Sequence, residues 1–161
     1  MHMNRTSNNS ENKENLDFIL FALEQFIAAK DFGFTENECR RNLYTALHQY
    51  WQNKEMGLHS TSQRKKIPRT SAAKVTKGKT QVEHVVPLKV IVETLRDIKR
   101  PNKRNVHKKL RDFYRVCIVT IEEHQCLSDA GLRSKMPKDW DGKDPFARYK
   151  LVGIEVDYED F

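Results

Sequence analysis

Long apolar runs are missing from this sequence. No stretch approaches the roughly 18 consecutive apolar residues that a membrane-spanning helix requires. The first 15 residues, MHMNRTSNNSENKEN, are polar throughout and lack the apolar stretch of a secretory signal. These absences argue against a membrane protein and against export through a signal peptide. We therefore expect no membrane partner, and the cytoplasm is the expected location.

Cysteine is scarce as well. Cys39, Cys117 and Cys126 are an odd number and form no C-x-x-C pair, which argues against a disulfide framework and a four-cysteine zinc site. Each is predicted to be a small apolar residue of the core. The sequence also lacks a Walker loop, a dinucleotide-binding fingerprint and an internal repeat. Nucleotide-binding folds and repeat arrays are therefore not indicated.

Positive charge is concentrated in the middle of the chain. The 161 residues together carry +7, but residues 64–115 contain 17 Lys and Arg against four Asp and Glu, which gives +13 and leaves −6 for the remainder. Such a concentration suits binding to a phosphate backbone, because each neutralised phosphate releases condensed counterions. Nucleic-acid binding is one interpretation of this charge, and a solvated basic surface is the other.

Apolar spacing in the first third of the chain predicts a helical hairpin. Apolar residues recur at three- and four-residue steps from about Glu14 to Lys30, and Phe18 and Phe21 give this helix a second apolar face. Thr35 with Glu38 three residues later is a capping box, and it predicts a second helix to about Lys54. The excess apolar surface makes these helices the predicted face of a homodimer.

The remaining chain predicts an α+β fold that is mostly helical. We expect short strands at 80–86 and 116–121, helices at about 88–98, 106–113 and from Glu122 onwards, a short helix through Tyr149, and an edge strand at 153–158. The corresponding organisation is a disordered leader (1–14), the helical hairpin (15–56), a basic linker (57–79), a compact core (80–130) and an irregular extension that packs on the core (131–161).

Glu83, His84 and His124 are the residues best suited to chemistry. Glu83 and His84 end the first predicted strand, and His124 lies in the first turns of the helix after the second. A carboxylate and an imidazole can bind a divalent cation from one side and leave its other side open for phosphate and water. Adjacent strand residues point to opposite faces, so both can serve one site only if the strand ends or twists there, as nearby Pro87 permits.

The segments around these residues resemble the signature of the HNH, ββα-metal or His-Me finger, endonuclease superfamily. VEHVVPLKVI is similar to its first half, an acidic residue or His followed by His, two apolar residues and Pro. CIVTIEEHQCL is similar to its closing half. The resemblance covers residues 82–127 and departs from the family pattern at the central Asn, since Arg115 lies near that place.

The resemblance implies a ββα-metal core, with two short antiparallel strands and a metal-binding helix. Glu83 and His124 would be the metal ligands, and His84 the general base that activates water. The implied activity is hydrolysis of DNA phosphodiester bonds with one divalent metal ion, in phage, restriction or defence biology. An oxygen and imidazole shell suits Mg, Mn, Ni or Zn, with imidazole favouring the transition metals.

Basic residues on both sides of the core are the predicted contacts to nucleic acid, with DNA favoured over RNA. One group lies in the linker, a second has helical spacing between the strands, and a third follows the His124 helix. In that order they are Arg64, Lys65, Lys66 and Arg69; Lys103, Arg104, Lys108 and Lys109; and Arg133 and Lys135.

Two other functions fit the same features. The chain could be a basic DNA- or RNA-binding module without catalysis, in which the Glu-His pair is structural, and the departure at the central Asn favours this alternative. A toxin that degrades nucleic acid is the third possibility, and the lack of an export signal argues against it. Glu122 and Glu123 are first-turn acids, which by default complement the helix dipole.

Overall fold

The computed structural model describes residues 8–29, 31–58 and 63–161. It is a mixed α+β structure in which helices predominate and two strands form an antiparallel sheet. The described chain divides into two compact units. The helical unit falls within Met1–Arg64 and Thr94–Lys108, and the sheet unit comprises Lys65–Glu93 and Lys109–Phe161. Among the described helices, none has both the length and the apolar character needed to cross a bilayer.

The helical unit is built on α1 (Asn8–Ala28) and α2 (Glu36–Ala46), with α2 continuing as π-helical turns over Leu47–Glu55. Their three- and four-residue apolar spacing brings large side chains to one face. At the centre four of these side chains are completely buried: Ile19, Leu23, Leu43 and Leu47. The two predicted helices are therefore confirmed.

The first helix differs from its prediction at the N-terminal end. Residues 8–14, predicted as part of a disordered leader, belong to α1; residues 1–7 lie outside the described part of the chain. Phe18 and Phe21 are 52% and 57% exposed, so neither is covered as a core residue would be. Phe18 stacks on Tyr50 with ring centroids 4.7 Å apart.

In the sheet unit, β1 (Thr80–His84) pairs with β2 (Val116–Thr120), and the register joins Thr80 to Thr120 and His84 to Val116. Every residue of β2 is buried, as its continuous β-branched run predicts. The helix α6 (Ile121–Asp129) follows β2 directly. The Thr120 hydroxyl accepts a hydrogen bond from Glu123 N at 3.1 Å and caps this helix.

Three further helices lie before β2 in the described chain. They are α3 (Ser71–Val75), α4 (Leu88–Arg96) and α5 (Lys103–Phe113). A fourth short helix, α7 (Ala147–Val152), follows the irregular C-terminal stretch, and Gly153 ends it in the left-handed conformation with φ 75°. Val85, Cys117, Leu127 and Tyr149 lie in one apolar core, which packs the end of β1, β2, α6 and α7 together.

The segment predicted as a basic linker is ordered where the structure describes it. Gln63–Lys66 forms a 3-10 turn and α3 follows. Between them the chain runs along the free edge of β2: Ile118 N donates to Pro68 O at 2.8 Å, and Thr70 N donates to Ile118 O at 3.1 Å. This segment is ordered because the backbone N–H and C=O groups on the outer edge of the buried strand β2 need hydrogen-bond partners.

Two other predictions are wrong in part. The predicted edge strand at 153–158 is reduced to one isolated bridge between Thr70 and Val156, and Tyr158–Asp160 is a 3-10 turn. Among the cysteines, only Cys117 is buried; Cys39 is half-buried and Cys126 is exposed. Cys126 lies on the outer face of α6, where a small apolar residue need not be buried.

Candidate functional site

Glu83 and His124 meet in the sheet unit. Glu83 is the penultimate residue of β1, and His124 lies in the first turns of α6. His124 Nδ1 and Glu83 Oε2 are 3.0 Å apart, and the two side chains are 23% and 12% exposed. The two residues are 41 positions apart in sequence, and the strand and the helix bring the carboxylate and the imidazole into direct contact at a partly accessible position.

His84 makes a different contact at the end of β1. Its Nε2 lies 3.3 Å from the hydroxyl of Tyr114, and the two rings meet edge to face with centroids 5.2 Å apart. Burial raises the pKa of Tyr114 well above its ordinary value, so this side chain is a neutral phenol that can donate or accept a hydrogen bond. The structure therefore joins Glu83 to His124, and His84 to Tyr114.

Arg148 contacts the candidate site, and no sequence pattern indicated it. It lies in α7, its side chain is completely buried, and Nη2 donates to Glu83 Oε1 at 2.7 Å. The same guanidinium donates to Val85 O at 2.8 Å, to Leu132 O at 2.9 Å and to the carbonyl of His84. Its signal in the sequence was weak, because FARYK is a short segment far from both halves of the HNH-like pattern.

Arg115 occupies the place near which the family pattern has Asn. Its side chain donates to backbone oxygens, from Nε to Asp112 O at 3.4 Å and from Nη1 to Phe161 O at 3.3 Å. Its own carbonyl accepts from Val85 N at 2.9 Å, which extends the pairing beyond β1. These contacts give Arg115 a structural role at the entry to β2.

Glu123 also has a structural role. Its Oε2 accepts from Thr120 N at 2.8 Å and from the Thr70 hydroxyl at 2.7 Å, so one carboxylate caps α6 and anchors the edge of β2. Glu122 is exposed in the first turn of the same helix, where its charge complements the helix dipole.

The Glu83–His124 pair offers one carboxylate oxygen and one imidazole nitrogen as possible ligands of a divalent cation. No group of three or more His, Cys, Asp or Glu side chains that could hold a metal occurs among the residues that the structure describes. Two ligand atoms at right angles, each about 2.1 Å from an ion, are about 3.0 Å apart, and the Nδ1–Oε2 distance is 3.0 Å. The donor types and their spacing fit a cation with two protein ligands, and the same distance also fits a hydrogen bond.

The predicted nucleic-acid contacts are distributed over both units. In the helical unit, Lys103 forms an ion pair with Asp17, and Arg64, Arg104 and Lys108 are exposed. In the sheet unit four of the predicted residues are exposed, namely Lys65, Lys66, Arg133 and Lys135. The remaining two are half-buried there: Arg69 donates to Ala73 O at 3.4 Å, and the Lys109 ammonium lies 5.4 Å from the centre of the Phe113 ring.

Comparisons with known proteins identify no family: no family model, no curated protein and no solved structure matches this chain.

Proposed function

We propose that this protein is a metal-dependent nuclease that hydrolyses DNA phosphodiester bonds with one divalent cation and a histidine general base. The observation that carries the proposal is the direct contact between Glu83 and His124, at the place where two antiparallel strands lead into a helix. Two antiparallel strands followed by a helix support the ββα-metal core that the HNH-like segments imply. The setting that we propose is restriction, phage or defence biology.

Glu83 and His124 would hold the cation, with Mg, Mn, Ni and Zn all compatible with the donor set. A bound cation would polarise a phosphoryl oxygen and stabilise the leaving 3′ oxygen. Binding requires His124 to give up the Nδ1 proton that a hydrogen bond to Glu83 would use, so His124 would be neutral and protonated at Nε2. Phosphate and water would complete the coordination shell, because the protein supplies two ligands.

His84 would take a proton from the attacking water. The Tyr114 hydroxyl at 3.3 Å and the ring packing restrict the orientation of the imidazole. Tyr114 would thereby help to orient His84. A base fixed in this way is expected to contribute about 10²- to 10⁴-fold to the rate.

Exposed basic side chains would bind the phosphate backbone. In the sheet unit these are Lys65, Lys66, Arg133 and Lys135, whose side chains are open to solvent. Each contact to phosphate releases counterions, so affinity should fall steeply as salt concentration rises. Contacts of this kind position a duplex without reading its sequence.

A nucleic-acid-binding module without catalysis is the second candidate. One observation favours it: both oxygens of Glu83 already have partners, Arg148 at Oε1 and His124 at Oε2. Such a charge-balanced network is complete without a cation. The basic residues would then account for the function by themselves.

Plasmid nicking separates the two candidates. The wild type is incubated with supercoiled DNA and Mg, Mn or Ni, with EDTA as the metal-free reaction, and then compared with His84→Ala. We expect metal-dependent nicking that His84→Ala lowers by about 10²- to 10⁴-fold. His48→Ala is the matched control, since His48 is an exposed histidine of the helical unit.

The same variants distinguish the base from a metal ligand. His84→Ala should bind the cation nearly as well as the wild type, whereas His124→Ala should lose both binding and cleavage. DNA binding without cleavage in every metal would reject the nuclease and leave the binding module. An RNA substrate assayed beside the plasmid tests the preference for DNA.

A further inference from the structure

We propose that Arg148 is a positioning residue that fixes the Glu83 carboxylate for cation binding. The inference rests on the proposed cation site, and it concerns a residue outside both HNH-like segments. Arg148 lies 65 residues after Glu83, and its Nη2 donates to Glu83 Oε1 at 2.7 Å. The C-terminal helix α7 therefore becomes part of the site.

The contacts of Arg148 match the geometry of a guanidinium. Nε donates to Val85 O and Nη1 to Leu132 O, whereas Nη2 donates two hydrogen bonds, to Glu83 Oε1 and to the carbonyl of His84. A planar group with five donors in a fixed fork can serve several acceptors together, whereas an ammonium is a compact point charge on a flexible stem. A lysine of similar charge could not reproduce this set.

Complete burial makes the arrangement rigid. The Arg148 side chain is 0% exposed and that of Glu83 is 12% exposed, so water cannot readily replace either partner. A buried ion pair is weak support for stability, because removing two charges from water costs about as much as their attraction returns. The arrangement is better explained by orientation of Glu83 than by stabilisation of the fold.

The two oxygens of Glu83 are thereby given different roles. Oε1 is engaged by Arg148 at 2.7 Å, and Oε2 faces His124 at 3.0 Å. Only Oε2 shares a side with the imidazole, so Glu83 would bind a cation through one oxygen. Partners that orient a ligand in this way typically contribute about 10- to 100-fold to metal affinity.

Affinity for Mn²⁺, measured without nucleic acid, tests this role. Wild type and Arg148→Lys are titrated with MnCl₂ by calorimetry, after circular dichroism has shown that the variant is folded. We expect Arg148→Lys to weaken binding by about 10- to 100-fold. Arg111→Lys is the matched control, since Arg111 is an exposed arginine of the sheet unit, and it should bind as the wild type does.

Three results would overturn the positioning role. The first is equal Mn²⁺ affinity in folded Arg148→Lys and wild type. The second is a wild type that binds no Mn²⁺, and the third is Mn²⁺ binding that survives Glu83→Ala. If the wild type binds Mn²⁺ through Glu83 but cuts no DNA, the nuclease proposal fails and the role of Arg148 stands.

A second measurement covers the case in which Arg148→Lys does not fold. In ¹⁵N NMR spectra of the wild type, the Arg148 Nε–H and Nη–H signals should be protected from exchange with water, because the group is buried and hydrogen-bonded. Glu83→Ala should shift the Nη2 signal and leave Nε, which donates to Val85 O, nearly unchanged. An Nη2 signal that is indifferent to Glu83→Ala would overturn the proposal.

Discussion

The helical unit and the sheet unit bury different kinds of side chain. In the helical unit the core is made of apolar residues, and the one buried polar side chain among the described residues is Asn15, which donates to Glu55 at 2.8 Å. In the sheet unit Thr70, Thr120 and Arg148 are all buried.

The two kinds of buried side chain serve different purposes: apolar side chains fill the core, and polar ones fix the positions of their partners. An apolar core tolerates exchange of side chains of similar volume, because dispersion and burial depend little on direction. A buried polar network is directional, and each member leaves partners unsatisfied when it is removed. In the sheet unit these directional contacts form two groups: Arg148 donates to Glu83, and Thr70 and Thr120 contact Glu123.

The largest effect on stability is expected from Arg148→Met. Removal of the guanidinium leaves the Glu83 carboxylate and three backbone carbonyls without their donor, so unfolding should become easier by about 3–5 kcal/mol. Leu23→Ala in the helical unit removes a completely buried side chain and should cost about 2–5 kcal/mol through the cavity that it leaves.

Urea denaturation followed by tryptophan fluorescence can assign each loss to its unit. Trp51 lies in the helical unit and Trp140 in the sheet unit, so Trp51→Phe and Trp140→Phe backgrounds report on one unit each. Arg148→Met should shift the Trp140 transition, and Leu23→Ala the Trp51 transition. If each variant shifted both transitions equally, the two units would unfold together. Their stabilities could then not be compared separately.

The two capping boxes differ in burial, and removing them should change stability by smaller amounts. Thr120 caps α6, is buried, and is linked through Glu123 to Thr70, whereas Thr35 makes its contacts with Glu38 at the exposed start of α2. Thr120→Ala should therefore lower stability by about 1–2 kcal/mol, and Thr35→Ala by less. Urea denaturation measures both losses of stability. A larger loss from Thr35→Ala than from Thr120→Ala would contradict this prediction.

Local patterns in the sequence were sufficient for the two paired strands, for most of the longer helices and for two members of the candidate site. The run VCIVT has the composition of a buried strand, and the spacing of EHVVP and EEH placed Glu83 and His124 where they meet. Arg148 could not be found in this way, because its four contacts reach residues 16 to 65 positions away. The pairing of residues 68–70 with β2 could not be predicted either. It satisfies backbone groups, and such contacts leave no apolar pattern in the sequence.

Alkaline pH should affect the sheet unit through Cys117. Burial raises the pKa of its thiol to about 12 from an ordinary value near 9, so the folded state favours the protonated thiol. This stabilisation is fully present below about pH 9 and is lost as pH rises from about 9 towards 12. Between pH 8 and 10 the loss should be about 1 kcal/mol.

Urea midpoints at pH 8, 9 and 10 measure this loss. Cys117→Ala should show a smaller decline over that range than the wild type, and Cys39→Ala, in the helical unit, should decline as the wild type does. A decline that is equal in all three proteins would assign the alkaline loss to other groups.

Tyr114→Phe is expected to have the smallest effect on stability. It tests whether the hydroxyl beside His84 matters in addition to the ring packing that histidines of both units share. Both units hold a histidine against an aromatic ring, His84 against Tyr114 and His107 against Trp51. At Tyr114 a hydroxyl 3.3 Å from His84 Nε2 adds direction to the packing. Phenylalanine keeps the ring and removes one hydrogen bond, which corresponds to about 0.5–1.5 kcal/mol.

Single-turnover nicking at saturating Mn²⁺ measures the result. If the hydroxyl orients His84 as a base, Tyr114→Phe should lower the cleavage rate by about three- to tenfold and leave Mn²⁺ affinity unchanged, because Glu83 and His124 keep their contacts. Trp51→Phe is the matched control, since it alters the aromatic partner of His107 without touching the candidate site. A rate for Tyr114→Phe equal to that of the wild type would show that packing alone orients His84, and the polar contact would then have no catalytic consequence.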